Sequence, residues 1–530
     1  MKQMKYTTRL LAAAAALTVL ACAKETTEPY PVFEDRSLQA WITQNRPALL
    51  DNYQAFDKDA GYYLDLHDAG NLAEKPINDT ARWIRFNFSG RDLAGNIILT
   101  RNAREAELAG TFTKYTHYVP YYRYCGESGY SLIEGTWLAM QKKQELGEKY
   151  YADNGEKLGL TSPEYEMRIG ARATLYMPSR VVGSGLSGDG GYQGQYALDA
   201  GKPLIVTMEI CDTVKNPLQR EGSDVDRYCE LNGGRQVYSH DEKDTEAVNL
   251  PTSLDDPNHP YRPDFAKRWV SACDSVAQLY VNYRFDPKTD RLHYPAPYYA
   301  GIEPYTDAQS VTSIDERIAE ALVKRFHTDD PYVGIAELKA DSVKLTGTAK
   351  IWYIGRFLDG FIFDTNIDEV KEIVYGEVLS KGEALSYKPE DGGLITAFYY
   401  AIPNMQYGQW GALITTSTNA YGASGQAGST SSSSSGYSDS YYDYMNYLNY
   451  YNYYNSYYGG YGSYYNNYYG GYGGYYGGYY DPYYSGYYDS YANGYYGSGG
   501  NQGVTTTRTS TEIPSFTPLI FEFYIEPKAK

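Results

Sequence analysis

Three blocks of sequence occur twice, in the same order, in the two halves of this 530-residue chain. Phe88-Ser89-Gly90-Arg91-Asp92-Leu93-Ala94-Gly95-Asn96-Ile97-Ile98 parallels Tyr353-Ile354-Gly355-Arg356-Phe357-Leu358-Asp359-Gly360-Phe361-Ile362-Phe363. Leu132-Ile133, shortly before Ala139, parallels Leu394-Ile395, shortly before Ala401. Pro203-Leu204-Ile205 runs to Ile210 as Pro518-Leu519-Ile520 runs to Ile525. Matched blocks in one order require one supersecondary plan used twice. Length agrees, because a chain this long exceeds what a single hydrophobic core usually supports.

Around these blocks the residues alternate as strands do, for instance over Gly61–Leu66 and Trp83–Phe88. Between the repeats, 213–310 forms an intervening segment. Helix-like stretches are expected at Pro217–Cys229 and Asp264–Cys273, a strand over Gln278–Phe285, and a turn at Asp286–Asp290. Ile314–Phe326 has apolar residues at helical spacing and leads into the second repeat.

The tract 429–507 is of a different kind. It opens on a Ser/Thr run and continues as Tyr, Gly, Asn and Ser, with almost no aliphatic residue before its last few positions. It accounts for much of the chain's 63 Tyr and 52 Gly. Lacking an aliphatic supply, it has nothing to offset a backbone ordering cost of about 1–2 kcal/mol per residue, and disorder is the expected state.

At the N-terminus, Lys2, Lys5 and Arg9 precede the apolar run Leu10–Leu20, a pattern that suits an export signal and is too short for a membrane span. The run ends in Val19-Leu20-Ala21-Cys22, which resembles a bacterial lipobox. That resemblance implies a signal peptide over 1–21 and a lipid on Cys22, then a polar tether over 22–37. Ala23 after the Cys favours the outer membrane, on its periplasmic or surface face. A net charge of −18, from 47 Lys+Arg against 65 Asp+Glu, argues against nucleic acid as a partner. Cys125, Cys211, Cys229 and Cys273 could form one or two disulfides in an exported chain, and spacing does not choose the pairing. The six histidines are scattered, so no metal site and no cofactor are called for.

No nucleophile motif or P-loop is present. Instead the second repeat gathers aromatics around one acid: Tyr353-Ile354-Gly355, Asp359-Gly360, Phe363-Asp364, Leu394-Ile395 with Phe398, Ala420-Tyr421-Gly422, and Ile513-Pro514 before Pro518–Phe521. In order and spacing this resembles the FKBP-type peptidyl-prolyl cis-trans isomerases over roughly 345–428 and 508–527. The resemblance implies an α+β fold: two FKBP-like domains, 38–212 and 311–530, each an antiparallel half-barrel sheet wrapped on a short helix. The second would be interrupted by the disordered Tyr/Gly-rich insert.

What the resemblance further implies is a proline pocket lined by Tyr353, Phe363, Tyr387, Leu394, Phe398, Ile513 and Phe521. Tyr421 and the Ile395 N–H would bind substrate carbonyls, with Asp364 beside the rotating amide. The family's floor Trp is Phe398 here, which keeps an apolar ring without the indole N–H. The first repeat departs further, with Phe88, Ile98-Leu99, Thr136 and Val181-Val182 at the pocket positions, and reads as a scaffold. Proline-containing unfolded or exported polypeptides are the expected partners, with glycans a candidate for the Tyr-rich tract. Two other functions compete: a non-catalytic binding or chaperone scaffold, and a surface adhesive acting through that tract.

Overall fold

The computed structural model describes residues 30–57, 60–79, 82–125, 134–182, 203–233, 235–236, 269–271, 278–283, 292–301, 311–326, 347–405, 407–431 and 507–527, with a few single residues between 285 and 290. Cys22 and nearly all of the Tyr-rich tract, with its expected disorder, lie outside them. The described residues form helices and predominantly antiparallel sheets, as an α+β fold requires. The strands, in chain order, are β1 (Tyr53–Asp57), β2 (Ala60–Ala69), β3 (Arg82–Arg91), β4 (Ile97–Thr100), β5 (Tyr121–Cys125), β6 (Gln144–Glu145), β7 (Glu164–Tyr165), β8 (Ala171–Met177) and β9 (Leu204–Val214). The second half contributes β10 (Arg235–Gln236), β11 (Trp269–Ser271), β12 (Leu279–Asn282), β13 (Ala349–Phe357), β14 (Ile362–Thr365), β15 (Leu385–Tyr387), β16 (Trp410–Thr415), β17 (Thr430–Ser431), β18 (Thr507–Arg508) and β19 (Leu519–Ile525).

The two large sheets have one topology. The first runs β1-β2-β8-β9-β3-β4 with β5 on β3; the second runs β11-β12-β16-β19-β13-β14 with β15 on β13, plus β10 at its edge. Register agrees residue by residue. Ser89, Gly90 and Arg91 face Thr100, Leu99 and Ile97, with a bulge after Gly90. Ile354, Gly355 and Arg356 face Thr365, Asp364 and Ile362, with a bulge after Gly355. A bulge re-aims the side chains beside it, and its recurrence puts Leu99 and Asp364 at the same place in the two units.

Three expectations need correction. The segment 213–310 is not a separate spacer: β12 pairs with β16 inside the second sheet, and Leu279 and Val281 are buried in its core. The tether does not extend to residue 37, since a helix spans Tyr30–Asn45 and buries Leu38 and Ile42 against the first sheet. The second half of Asp264–Cys273 is not helical either, because Trp269–Ser271 is a strand between β10 and β12. Each unit therefore begins with a helix. From Tyr30–Asn45, Trp41 packs on Tyr176 of β8. From Pro217–Leu231, Val225 and Tyr228 cover Ile414 of β16 and Ile520 of β19. Tyr176 and Ile414 hold matching register positions, opposite Ile205 and Ile520.

The second unit's helix covers β19 as well as β16, and both strands are buried at every position, whereas β9 alternates toward solvent. Glu522 on β19 is accommodated by Arg356 Nε at 2.6 Å, a fully buried ion pair. On the other face of the second sheet the short helix Thr396–Ala401 packs Ala397, Phe398 and Ala401 into the core. Of the cysteines, Cys211 is half-buried and Cys229 buried, both as thiols.

Candidate active site

The second sheet and its short helix bring all the second-repeat residues marked by the sequence into one cluster. Phe363, Tyr387, Phe398, Ile513 and Phe521 are buried in it, and Tyr353, Leu394, Ile395 and Tyr421 pack half-buried around them. Phe521 sits at the centre. Phe398 from the helix lies 5.2 Å away between ring centroids, Phe363 from β14 meets it edge-on at 5.7 Å, and Tyr353 from β13 is at 6.0 Å. Gly355 makes this possible, because a Cβ there would lie 2.6 Å from the Phe363 ring.

At the edge of this floor, the Tyr353 hydroxyl donates to Asp364 Oδ2 at 2.5 Å. Asp364 keeps one side toward solvent, yet the surrounding aromatics desolvate its carboxyl and raise its pKa above the usual carboxylate range. The Tyr353 phenol is raised too, first by burial and then by the neighbouring Asp364 charge. Burial, with Asp364 as the second cause, pushes Tyr421 up to about 12, so its hydroxyl stays protonated and able to donate. Among the described residues no protein group accepts from the Tyr421 hydroxyl or from the Ile395 N–H. Two donors and one carboxylate therefore border an apolar floor.

Several supporting residues escaped sequence reading. Asn366 accepts the Tyr353 N–H at 2.7 Å and donates to the carbonyls of Ile351 and Glu383, which ties β13 to the approach to β15. Tyr399 accepts the Leu394 N–H and packs on Tyr387. Glu221, from the helix that opens the unit, reaches across to the turn before Tyr421. Its carboxylate accepts the Ser417 N–H at 2.9 Å and the Ser417 hydroxyl at 2.8 Å. Burial raises this carboxyl to about 7. The first repeat has the same clamp, with Glu34 accepting the N–H and hydroxyl of Ser179. An x-x-Glu near each helix start carries no motif that would mark it in sequence.

At the matching place in the first repeat, Phe88 contacts Tyr121 at 5.5 Å, and Leu99, Thr136 and Val181 are buried. Arg101 and Arg123 lie over the Tyr121 ring, at 4.7 and 4.2 Å from its centroid. The register position of Asp364 is held there by Leu99.

No family model and no curated protein matches the chain. Solved structures similar to it include the three FKBP domains of wheat FKBP73, at 8% identity over 88% of this chain and 94% of that one, with a TM-score of 0.18. A peptidyl-prolyl cis-trans isomerase from Pseudomonas syringae is 16% identical over 36% of this chain and 99% of its own, with a TM-score of 0.20. FkpA from Escherichia coli is 11% identical over 40% and 71%, with a TM-score of 0.21. Scores this low carry no inference about activity, and the relation between the two repeats rests on strand register.

Proposed function

We propose that the second repeat is a peptidyl-prolyl cis-trans isomerase and that the first is not catalytic. The observation that carries this reading is the Tyr353–Asp364 pair at the edge of an aromatic floor against which Tyr421 and Ile395 also pack, with the Tyr421 hydroxyl and Ile395 N–H unpaired among the described residues. Rotation about an X–Pro bond passes through a twisted amide, and unaided it takes tens to hundreds of seconds. The twisted amide has less charge separation than the planar one, so a water-poor apolar floor favours it over the ground state. Phe363, Phe398 and Phe521 would hold the proline ring, while Tyr421 and Ile395 fix the flanking carbonyls. Rotation about the bond moves no proton and forms no covalent bond to the protein, so no nucleophile or general base is needed.

A protease-coupled proline-peptide assay on the full chain tests this. Asp364→Leu combined with Tyr421→Val should lower kcat/KM at least tenfold, about 1.4 kcal/mol in the barrier. An unaccelerated wild-type reaction would reject the enzyme and leave the scaffold reading. We further propose lipid attachment at Cys22, a place in the cell envelope at the outer membrane, and exported polypeptides as clients; the lipobox-like run supports the first two. Cys22→Ala should then release the protein from membranes, and continued membrane fractionation with normal processing would reject the anchor.

A further inference from the structure

Ile513 and Tyr421 border the candidate site, but the segments carrying them are moored outside the second sheet. Ile513 and Gln426 exchange two backbone hydrogen bonds, each 2.8 Å, which zips the stretch after Tyr421 to the stretch before β19. The Phe516 N–H then donates to the carbonyl of Gly422. These zipped segments are held by the first repeat. The Thr511 hydroxyl donates to the Tyr115 carbonyl at 2.8 Å, and Arg123 Nη2 pairs with Glu512 at 2.9 Å. The ring of Phe516 inserts into a buried socket of Trp83 on β3, Tyr124 on β5 and Val214 on β9, with Ala423 packed alongside. Trp83 meets it edge-on at 5.1 Å.

Phe516 is also the one non-glycine residue with positive φ among the described residues, at +50°. A bulky residue adopts that conformation only where its surroundings over-determine it. Here the over-determining contact is the socket on the other repeat. We infer that the first repeat positions the second site: Trp83, Tyr124 and Val214 seat Phe516, and Phe516 sets the placement of Ile513 and Tyr421. Phe516 is a positioning residue, since it lies three positions beyond Ile513 and outside the aromatic floor. This gives the first repeat a role that its lack of an acid leaves open. The kinetic half of the inference rests on the isomerase reading; the structural half does not.

The experiment uses the full chain and two readouts, amide hydrogen exchange and the separate kcat and KM for a proline peptide. Trp83→Ala should speed exchange at least tenfold in 417–426 and 511–516 while β13, β16 and β19 stay protected. It should raise KM about fivefold with kcat less affected. Trp83→Phe should restore both, because the Trp83 indole N–H has no hydrogen-bond partner and only the ring is used. Should Trp83→Ala melt the first repeat, Phe516→Ala, made on the other side of the socket, decides by the same measurements. Unchanged exchange in the two segments would overturn the inference, as would faster exchange with unaltered kinetics in an active enzyme. An inactive wild type would defeat the isomerase reading, and exchange alone would then decide whether the socket holds these segments.

Discussion

Leu99 and Asp364 occupy the same register position, one step before the same bulge, in two copies of one sheet. In the first copy the residue is buried in the hydrophobic core; in the second it faces solvent and accepts the Tyr353 hydroxyl. The arginines after the bulge diverge in the opposite sense. Arg91 is half-exposed and pairs with Glu105, whereas Arg356 is buried against Glu522. The second sheet is covered on both faces and has moved its chemistry to its edge. The first leaves β9 alternating toward solvent and uses β3 and β5 as a docking face. Duplication thus kept the backbone plan, and burial decided which copy could hold a carboxylate. A carboxylate is tolerated at Asp364 because water reaches it; at Leu99, buried in the core, desolvation would oppose one.

The strongest way to break the comparison is to cut the second copy where its motifs begin. A fragment 310–530 lacks β12 and the Pro217–Leu231 helix, and so loses Leu279, Val281, Val225 and Tyr228. At about 1.5–3 kcal/mol for each fully buried large side chain, the loss matches the whole stability of a domain. Denaturant titration should show no cooperative transition for this fragment, and a cooperative one for 217–530. A cooperative 310–530 would mean that β12 is dispensable.

Exchanging the register-equivalent residues comes next. Leu99→Asp should destabilise by roughly 3 kcal/mol, from a buried carboxylate without a partner, and create no activity. Asp364→Leu should change stability by about 1 kcal/mol or less, since it removes a desolvated carboxyl but also the acceptor of the Tyr353 hydroxyl, while lowering kcat/KM. Chemical denaturation and peptide turnover on both single variants check this pair, and isomerase activity gained by a Leu99→Asp chain already carrying Asp364→Leu would erase the distinction.

The clamp carboxylate Glu221 sharpens the comparison through pH. Its folded-state pKa, about 7, lies above the ordinary 4.5, so the folded chain binds the extra proton. The stability this contributes is present below about pH 4.5 and lost as pH rises through about 7, for up to about 3 kcal/mol in total. Glu221→Gln should flatten the stability-against-pH profile in that window. An unchanged profile would show that the carboxyl titrates normally.

The smallest effect is expected from the Tyr-rich tract. β17 and β18 pair antiparallel, Thr430 with Arg508 and Ser431 with Thr507, so the chain leaves and returns at one place. Closure entropy grows only logarithmically with loop length. Replacing 432–506 with a short Gly/Ser loop should leave tetrapeptide turnover within about twofold, shift stability by about 1 kcal/mol or less, and slow refolding of a proline-limited protein substrate. Equal refolding by both proteins would remove a client-gathering role and leave a spacer or a glycan-binding role.

Much of the candidate site was legible because its residues sit in short local patterns. Tyr-x-Gly, Asp-Gly-x-x-Phe-Asp and Leu-Ile before Phe398 each span one hairpin or one helix start, where neighbours in sequence are neighbours in space. The alternation of Gln278–Phe285 showed a strand, but strand period says nothing of which edge it joins, and its partner Trp410–Thr415 lies more than a hundred residues away. The first turns of the leading helix read as tether because they continue a polar, Pro-containing stretch with Lys24, Glu25 and Glu28, which sets the expected helix start near Leu38; Leu38 and Ile42 acquire a face to bury only once the first sheet exists.

By itself, then, the chain's order of residues specified two copies of one strand plan, which copy carries an acid among aromatics, and a tract too poor in aliphatics to pack. These follow from periodicity and composition, which are local. Tertiary structure alone decided that the helix opening each copy clamps a Ser turn, that β12 completes the second sheet, and that Phe516 lodges in the first. Arg123 and Glu512 are 389 residues apart in sequence and 2.9 Å apart in space. Contacts at that separation depend on how two finished surfaces meet, and side-chain pattern along one strand or helix holds no record of the surface it will face.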